Sequence, residues 1–596
     1  MKQFFKMFFA SFLAIIIAGV VIVGIGIGLL VAAISNSVKP TPEKVSVSSS
    51  SILRIDLRSS IHEIGEENSF AAFSGDESYT ASLYDIVKSI NYAKNDDDIK
   101  GIYLRLGSSP NGWATLQEVR EAIASFKESG KFVYAYGEYI TQGAYYVATA
   151  ADSIYLNPVG EIELKGFATV LAFFKGSLDK LEIEPEIFYA GKFKSATEPF
   201  RTTKMSDANR EQIQEFQADF WNEFVTAVAG YSNKTKEEII TMAQTGAIEF
   251  PKDAVANKLI SSLLYADGVE ARLKEAAGLD EDSKLKLLSI NRYAKKVYQS
   301  RKIKGDKIAV LVAEGEIIKG EKNDMYQIAS VDMVEQIRKV KNNDDIKAVV
   351  LRVNSPGGSA LASEIIWREL QLLKEKKPII VSMGDYAASG GYYISALADS
   401  VFVMPNTITG SIGVFSMMFS TENLMKNKLG ITFDGVKTAP YADFPSGIRT
   451  LTAEERARMQ RSVDNIYHIF KSRVAEGRHM DINAVDEVAQ GRVWTGTDAI
   501  EKGLADGYGG LSRAIESASA KADIDDYQVV TYPEPVDRFE ALLKNITNNS
   551  NVKVDIAKAV MEYEMSEEYQ LIKKLKGLKR INGQTMTWLP YTIEVK

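Results

Sequence analysis

No cysteine occurs anywhere in the chain. Its absence excludes disulfides, thiolate metal sites and a cysteine nucleophile, and it is compatible with an oxidising compartment. Histidine is nearly as scarce. His62, His468 and His479 are the only three, too scattered for a zinc site, and none lies in a small-residue motif, so a Ser-His-Asp triad has little support. Positive charge is not in excess: 71 Lys and Arg stand against 78 Asp and Glu, a net charge of −7. With no basic-aromatic cluster either, nucleic acid is not the expected partner.

The 596 residues, 45% of them hydrophobic, leave room for about two to four domains with ample cores. Residues 7–34 carry no charge. About 20 such residues cross a bilayer core, whereas the apolar region of a cleaved signal peptide runs to only about 7–15. A retained transmembrane helix is therefore expected. Lys2 and Lys6 precede it, which keeps residues 1–6 cytoplasmic and places everything after the span outside the cytoplasm. Residues 35–50, rich in Ser, Pro, Val and Lys, read as a tether.

Beyond the tether the chain repeats itself. Asn95-Asp-Asp-Asp-Ile-Lys-Gly-Ile matches Asn342-Asn-Asp-Asp-Ile-Lys-Ala-Val at an offset of 247 residues. At the same offset Gly143-Ala-Tyr-Tyr meets Gly390-Gly-Tyr-Tyr, and Ala151-Asp-Ser-Ile meets Ala398-Asp-Ser-Val. Two units of this length are duplicated domains rather than a solenoid. In the second, strands are expected at 307–312, 348–353 and 379–382, with helices at 331–340 and 361–373; Leu83, Ile86, Val87 and Ile90 mark the corresponding first helix of the first copy. This alternation predicts α/β domains with parallel strands and ligands near the strands' carboxyl ends. Longer helical patterns at 207–229 and 453–475 would extend one domain onto its neighbour or form oligomer contacts. The domains are assigned to 51–295 and 306–530, with the boundary in the polar segment 293–305, and 531–596 is a tail without a functional reading.

In Met383-Gly-Asp-Tyr-Ala-Ala-Ser389-Gly-Gly-Tyr-Tyr393, a serine among small residues stands at a strand-to-helix turn. It physically resembles a nucleophile elbow, although Gly-x-Ser-x-Gly is absent. Taken alone, tight helix-sheet packing explains it better. The first copy has Gln142 at the place of Ser389, so only the second offers a hydroxyl there. Upstream, Asn354-Ser-Pro-Gly357-Gly358-Ser359 faces Ser108-Ser-Pro-Asn111-Gly112. Adjacent glycines let backbone N–H groups approach a developing oxyanion, with Gly390 as a further donor, or simply shape a turn. A serine needs a base, and without histidine a desolvated lysine is the other solution. Ala190-Gly-Lys-Phe-Lys194-Ser-Ala-Thr-Glu-Pro-Phe200 sets lysines among aromatic and small residues, while the second copy has Thr438 near the place of Lys194. Solvated surface lysines are an equal reading of that segment. Ser411, in Thr409-Gly-Ser-Ile-Gly413, rivals Ser389 as nucleophile.

Together these motifs, with Gln490-Gly-Arg-Val-Trp-Thr-Gly496, resemble the long form of the bacterial signal peptide peptidase SppA (protease IV) family over nearly the whole chain. The resemblance implies two tandem ClpP/crotonase-like α/β domains with helical extensions behind an N-terminal transmembrane helix. It implies a serine endopeptidase with a Ser/Lys dyad: Ser389 as nucleophile, Lys194 as base, Ser411 holding the lysine amine, and Gly357, Gly358 and Gly390 in the oxyanion region. No metal or organic cofactor is expected. Peptides, including signal peptide remnants, are the expected substrates, a homotetramer the assembly, and the periplasmic side of the bacterial inner membrane the location. Two other classes compete. A silent membrane scaffold of the same fold has no need to keep Ser389, Lys194 and Ser411 together, and an acyl-CoA enzyme would work on a cytoplasmic carrier from the wrong side of the membrane.

Overall fold

Continuous apolar runs become parallel strands buried on both faces. In the computed structural model, which describes residues 47–67, 77, 79–299, 305–322, 326–537 and 585–588, Ile308–Ala313 and Ala348–Leu351 are almost wholly buried. The span expected at 7–34 lies outside the described residues, and among these no helix is long and apolar enough to cross a membrane.

The first repeat builds a six-stranded parallel sheet in the order Ser262–Leu263, Ser153–Ile162, Phe132–Ile140, Ile99–Arg105, Ser51–Asp56, Leu287–Ser289. The second repeats that order with Gly507–Tyr508, Ser400–Val403, Ile379–Ala388, Ile346–Ser355, Asp306–Glu314 and Tyr527–Tyr532. Helices Leu83–Ala93, Trp113–Lys127, Ser330–Lys341 and Ala360–Lys374 supply the crossovers. The result is an α/β architecture with parallel-sheet domains in tandem.

The repeated motifs have a local physical cause. The carboxylates of Asp152 and Asp399 accept the N–H of Val133 and Ile379, at 2.7 and 2.9 Å, and so start a neighbouring strand in each copy. Tyr145 and Tyr392, both fully buried, donate their hydroxyls to the carbonyls of Leu259 and Leu504.

Three features differ from the sequence reading. The strand expected at 379–382 runs on to Ala388, so it ends directly at Ser389. The polar segment 293–305 begins inside the helix Ile290–Gln299, whose Tyr293, Ala294 and Val297 pack into the first core. The tail is not featureless: Thr585–Trp588 is a strand of a further sheet.

Each repeat reaches into the other. Helix Asp207–Ser232 sets Asp219 on Thr495 at 2.7 Å, and Glu211 and Glu215 on Arg492. Helix Ala453–Arg478 of the second repeat sets Arg456 on Glu186 of the first at 2.7 Å. Asp385 receives both the N–H and the hydroxyl of Thr115, capping helix Trp113–Lys127 across the repeats. Between the two sheets Arg352, fully buried on the second, binds Glu63 at 2.9 and 3.0 Å and Glu118 at 2.7 Å, both from the first. One guanidinium between two carboxylates leaves a surplus negative charge inside, and burial pushes Glu63 up to about 7.

Removing one member of such a cluster leaves buried charge uncompensated. Arg352→Met is expected to destabilise the protein by roughly 3–5 kcal/mol, read as a lower thermal unfolding temperature. Replacing Arg352, Glu63 and Glu118 together by neutral side chains should recover much of that loss.

Candidate active site

The site begins with backbone. Ser389 connects strand Ile379–Ala388 to helix Gly390–Ser395 with φ 56° and ψ −111°, a conformation non-glycine residues rarely adopt. Its N–H donates to Gly410 O at 2.8 Å and its carbonyl accepts from Tyr393 N–H at 2.9 Å. Ser411, also at positive φ (49°), donates its N–H to Arg492 O. Such strain costs on the order of 1–3 kcal/mol per residue and persists where the surroundings enforce it. Here it turns two hydroxyls toward one point.

The third group comes from the first repeat. Strand Glu184–Ala190 pairs antiparallel with Val414–Ser420, Ala190 lying opposite Val414. The loop beyond Ala190 is thereby delivered to the loop that carries Ser411. Phe193 N–H donates to Gln490 O at 2.8 Å, and a Cβ placed on Gly491 (φ 74°) would lie 2.7 Å from Lys194 Cβ. Gly491 is therefore glycine for two reasons, its positive φ and the close approach of Lys194. Gln212, on helix Asp207–Ser232, holds the other side by donating to Ser195 Oγ at 3.1 Å and Phe193 O at 3.3 Å.

In this setting Lys194 Nζ lies 2.9 Å from Ser389 Oγ, 3.0 Å from Ser411 Oγ and 3.3 Å from Ser411 O. Lys194, Ser389 and Ser411 are 2%, 0% and 1% exposed. Burial, unrelieved by any carboxylate, lowers the Lys194 pKa from 10.5 to about 7. The three oxygens match the three N–H donors of an ammonium. When a proton leaves, the lone pair that appears can take the hydrogen of Ser389.

The glycines are placed unequally. Gly357 donates its N–H to Ser355 Oγ at 3.1 Å. Gly358 lies in the strand Gly357–Ser359, where a Cβ would sit 2.0 Å from Ile317 O. Gly390 opens its helix, so its N–H has no acceptor within that helix.

The corresponding places in the first repeat are filled by amides. Gln142 donates to Gly166 O and accepts from the N–H groups of Lys165 and Gly166. Asn111 accepts from Ile61 N–H and donates to the carbonyls of Leu57 and Ser59. Thr438 is exposed. One repeat thus carries the hydroxyls and the other the amine.

Because the Lys194 pKa falls from 10.5 to about 7 on folding, the unfolded chain binds more protons between those values, and stability rises with pH there. The penalty is full below about pH 7 and fades towards pH 10.5. The stability of Lys194→Met relative to the parent should therefore be most favourable at pH 7 and decline by pH 10, as measured by denaturant unfolding at both values. Gly491→Ala should displace Lys194 while leaving both sheets intact.

The chain also matches known proteins in sequence. Two segments, 125–280 and 371–525, match Peptidase family S49, and 300–409 match Clp protease. Protease 4 of Salmonella typhi is 34% identical over 541 residues, covering 89% of this chain and 86% of that protein. Protease 4 of Haemophilus influenzae is 37% identical over 449 residues (73% and 72%). Serine protease SPPA, chloroplastic, of Arabidopsis thaliana is 34% identical over 459 residues (76% and 68%). With two S49 segments on a tandem ClpP-like frame and relatives matched over most of their length, the chain belongs to peptidase family S49, the SppA/protease IV serine proteases.

Proposed function

We propose that this serine protease is a membrane-anchored endopeptidase that degrades cleaved signal peptides and other peptides on the extracytoplasmic side of the bacterial inner membrane. The observation that carries the catalytic part is the 2.9 Å contact between a buried, uncompensated lysine amine and a strained serine. Neutral Lys194 takes the Ser389 proton as Oγ attacks the peptide carbonyl. The N–H of Gly390, which has no acceptor within its own helix, is assigned to the developing oxyanion, since Gly357 already donates to Ser355 Oγ. The lysine then protonates the leaving amine, and water activated by the same amine releases the acyl group from Ser389. Ser411 keeps the amine on Ser389 through its hydroxyl and carbonyl.

An apolar substrate is supported by the side chains beside the site. Phe415, Met417 and Phe419 share one face of Val414–Ser420, with Ile187 and Phe200 packed against them. The anchor rests on the uncharged stretch 7–34 and Lys2 and Lys6 before it. The homotetramer rests on the family resemblance and is checked by light scattering of the detergent-solubilised protein. A silent scaffold is disfavoured by the convergence of all three polar groups from two repeats.

In hydrolysis of an unstructured apolar peptide by the purified protein, Ser389→Ala and Lys194→Ala should each lose roughly 10⁴-fold or more in kcat. Ser411→Ala, which removes one hydrogen bond to the amine, should lose roughly ten- to a hundredfold. Activity should rise with pH through about 7, as Lys194 deprotonates. Parental turnover in both dyad variants would sink the assignment, and a dead Ser411→Ala beside an active Ser389→Ala would make Ser411 the nucleophile. A periplasm-dependent reporter fused after residue 50 should be active if the membrane orientation is right.

A further inference from the structure

The copies part at a second place. At the offset of 247 residues Arg120, on helix Trp113–Lys127, takes the position of Trp367, and Gln117 that of Glu364. Matching the caps of the two long helices, Ser206 with Thr452 and Asn233 with His479, sets Ala227 against Arg473 and Glu223 against Ile469. In the second repeat these positions form a closed cluster. The Arg473 guanidinium lies 3.7 Å over the Trp367 ring and 2.6 Å from Glu364, and Tyr393 donates its hydroxyl to the same carboxylate.

The first repeat leaves the same place open. With Ala227 in place of an arginine and Gln117 in place of a carboxylate, a cleft of about 470 Å³ lies between helices Trp113–Lys127 and Asp207–Ser232, with Arg120, Tyr146, Thr149, Glu223 and Tyr231 on its walls. That volume falls within the range of small-molecule sites, roughly 300–1,000 Å³. Its polar groups are uncommitted. Arg120 donates Nε–H to Thr149 Oγ1 at 3.0 Å and rests 5.2 Å from the Tyr146 ring centroid, but among the described residues it has no carboxylate partner. Glu223 likewise has neither an ion pair nor a hydrogen bond among them, and burial pushes its carboxyl up. Tyr146 is 2% exposed, yet its hydroxyl, unlike that of Tyr393, has no hydrogen-bond partner among the described residues. Lys127 and Asp152, also on the cleft, pair with each other at 3.1 Å, as Lys374 and Asp399 do at 3.5 Å, so they serve the fold that both copies share.

A lone anion does not suit these groups. Glu121 and Glu223 both bear on the Tyr146 hydroxyl and oppose negative charge beside it, while Arg120 opposes a lone cation. One free guanidinium and one free carboxylate on a single cleft are satisfied together only by a ligand that carries both charges. We propose that this cleft binds a small zwitterion, a free amino acid or a dipeptide, its carboxylate held by Arg120 and Tyr146 and its ammonium by Glu223. Peptide hydrolysis ends in molecules of this class. The binding asks nothing of Ser389 and Lys194, so the proposal stands apart from the protease reading.

The test uses the full chain carrying Ser389→Ala, so that no probe is hydrolysed, and reads binding by isothermal titration calorimetry. Leucine or leucyl-leucine should bind saturably. N-acetylleucine, which lacks the ammonium, and leucinamide, which lacks the carboxylate, should each bind roughly tenfold or more weakly, since a charged hydrogen bond is lost. Arg120→Gln and Glu223→Gln should each weaken leucine by a similar factor, and Arg120→Gln should leave leucinamide unchanged, having removed a partner that leucinamide never had. A further variant, Arg120→Trp with Gln117→Glu and Ala227→Arg, rebuilds the cluster of the second repeat. It should abolish binding and still unfold cooperatively on heating. The proposal is overturned if N-acetylleucine or inorganic phosphate binds as tightly as leucine, which is the behaviour of a lone-anion site. It is equally overturned if neither point variant changes leucine affinity, or if neither leucine nor leucyl-leucine binds at up to about 10 mM.

Discussion

A lysine amine able to act as a base near neutrality has to be kept from water and from carboxylates, and the surroundings of Lys194 meet that requirement. Burial alone brings it to about 7. The walls are Gly491 against the Lys194 backbone and Cβ and the two strained serines at the amine, with Gln212 holding the flanking residues Phe193 and Ser195. A hydrated lysine in the same place would remain charged and could not accept a proton. Because the walls come from both repeats, neither repeat can make the site alone.

The duplication explains how this was possible. Features held in common by the copies, Asp152 with Asp399 and Tyr145 with Tyr392, start strands and tie the buried aromatic turn to the next carbonyl. Those are demands of the fold, and both copies meet them. The differences lie where chemistry is wanted. Gln142 closes over its own loop with three hydrogen bonds, while the matching Ser389 is left facing an amine. Asn111 likewise ties down residues 57–61 where the second copy presents glycines.

Holding two domains in one register is costly for an ionic cluster such as Arg352 with Glu63 and Glu118, since desolvating charge opposes its Coulombic gain. Such a cluster tolerates little misplacement, which makes it better at defining position than at adding stability. The reciprocal helices, Asp207–Ser232 and Ala453–Arg478, extend the same contact outward to the strands that flank the site. The position of Lys194 relative to Ser389 thus depends on contacts spread over both repeats.

From the sequence alone came the duplication, the alternation of strands and helices, and the candidates Ser389, Lys194 and Ser411, because local apolar periodicity and small-residue motifs are written in neighbouring positions. Comparison of the copies offered a divided site as one reading, beside solvated lysines. The sequence could not decide between a buried and a solvated lysine, since burial depends on Gln490 and Gly491 of the other repeat, which are far from residue 194 in the chain. Nor could it show that Gly357 spends its N–H on Ser355, or that the Arg352 cluster joins the repeats. The tail was the largest omission: four residues with no motif of their own acquire a place only because two distant strands leave one strand's width between them. Local patterns determined the elements and the reactive groups. The tertiary structure alone decided which groups lie within hydrogen-bond reach, because pairing over 195 residues of separation is a property of packing and not of any neighbouring residue.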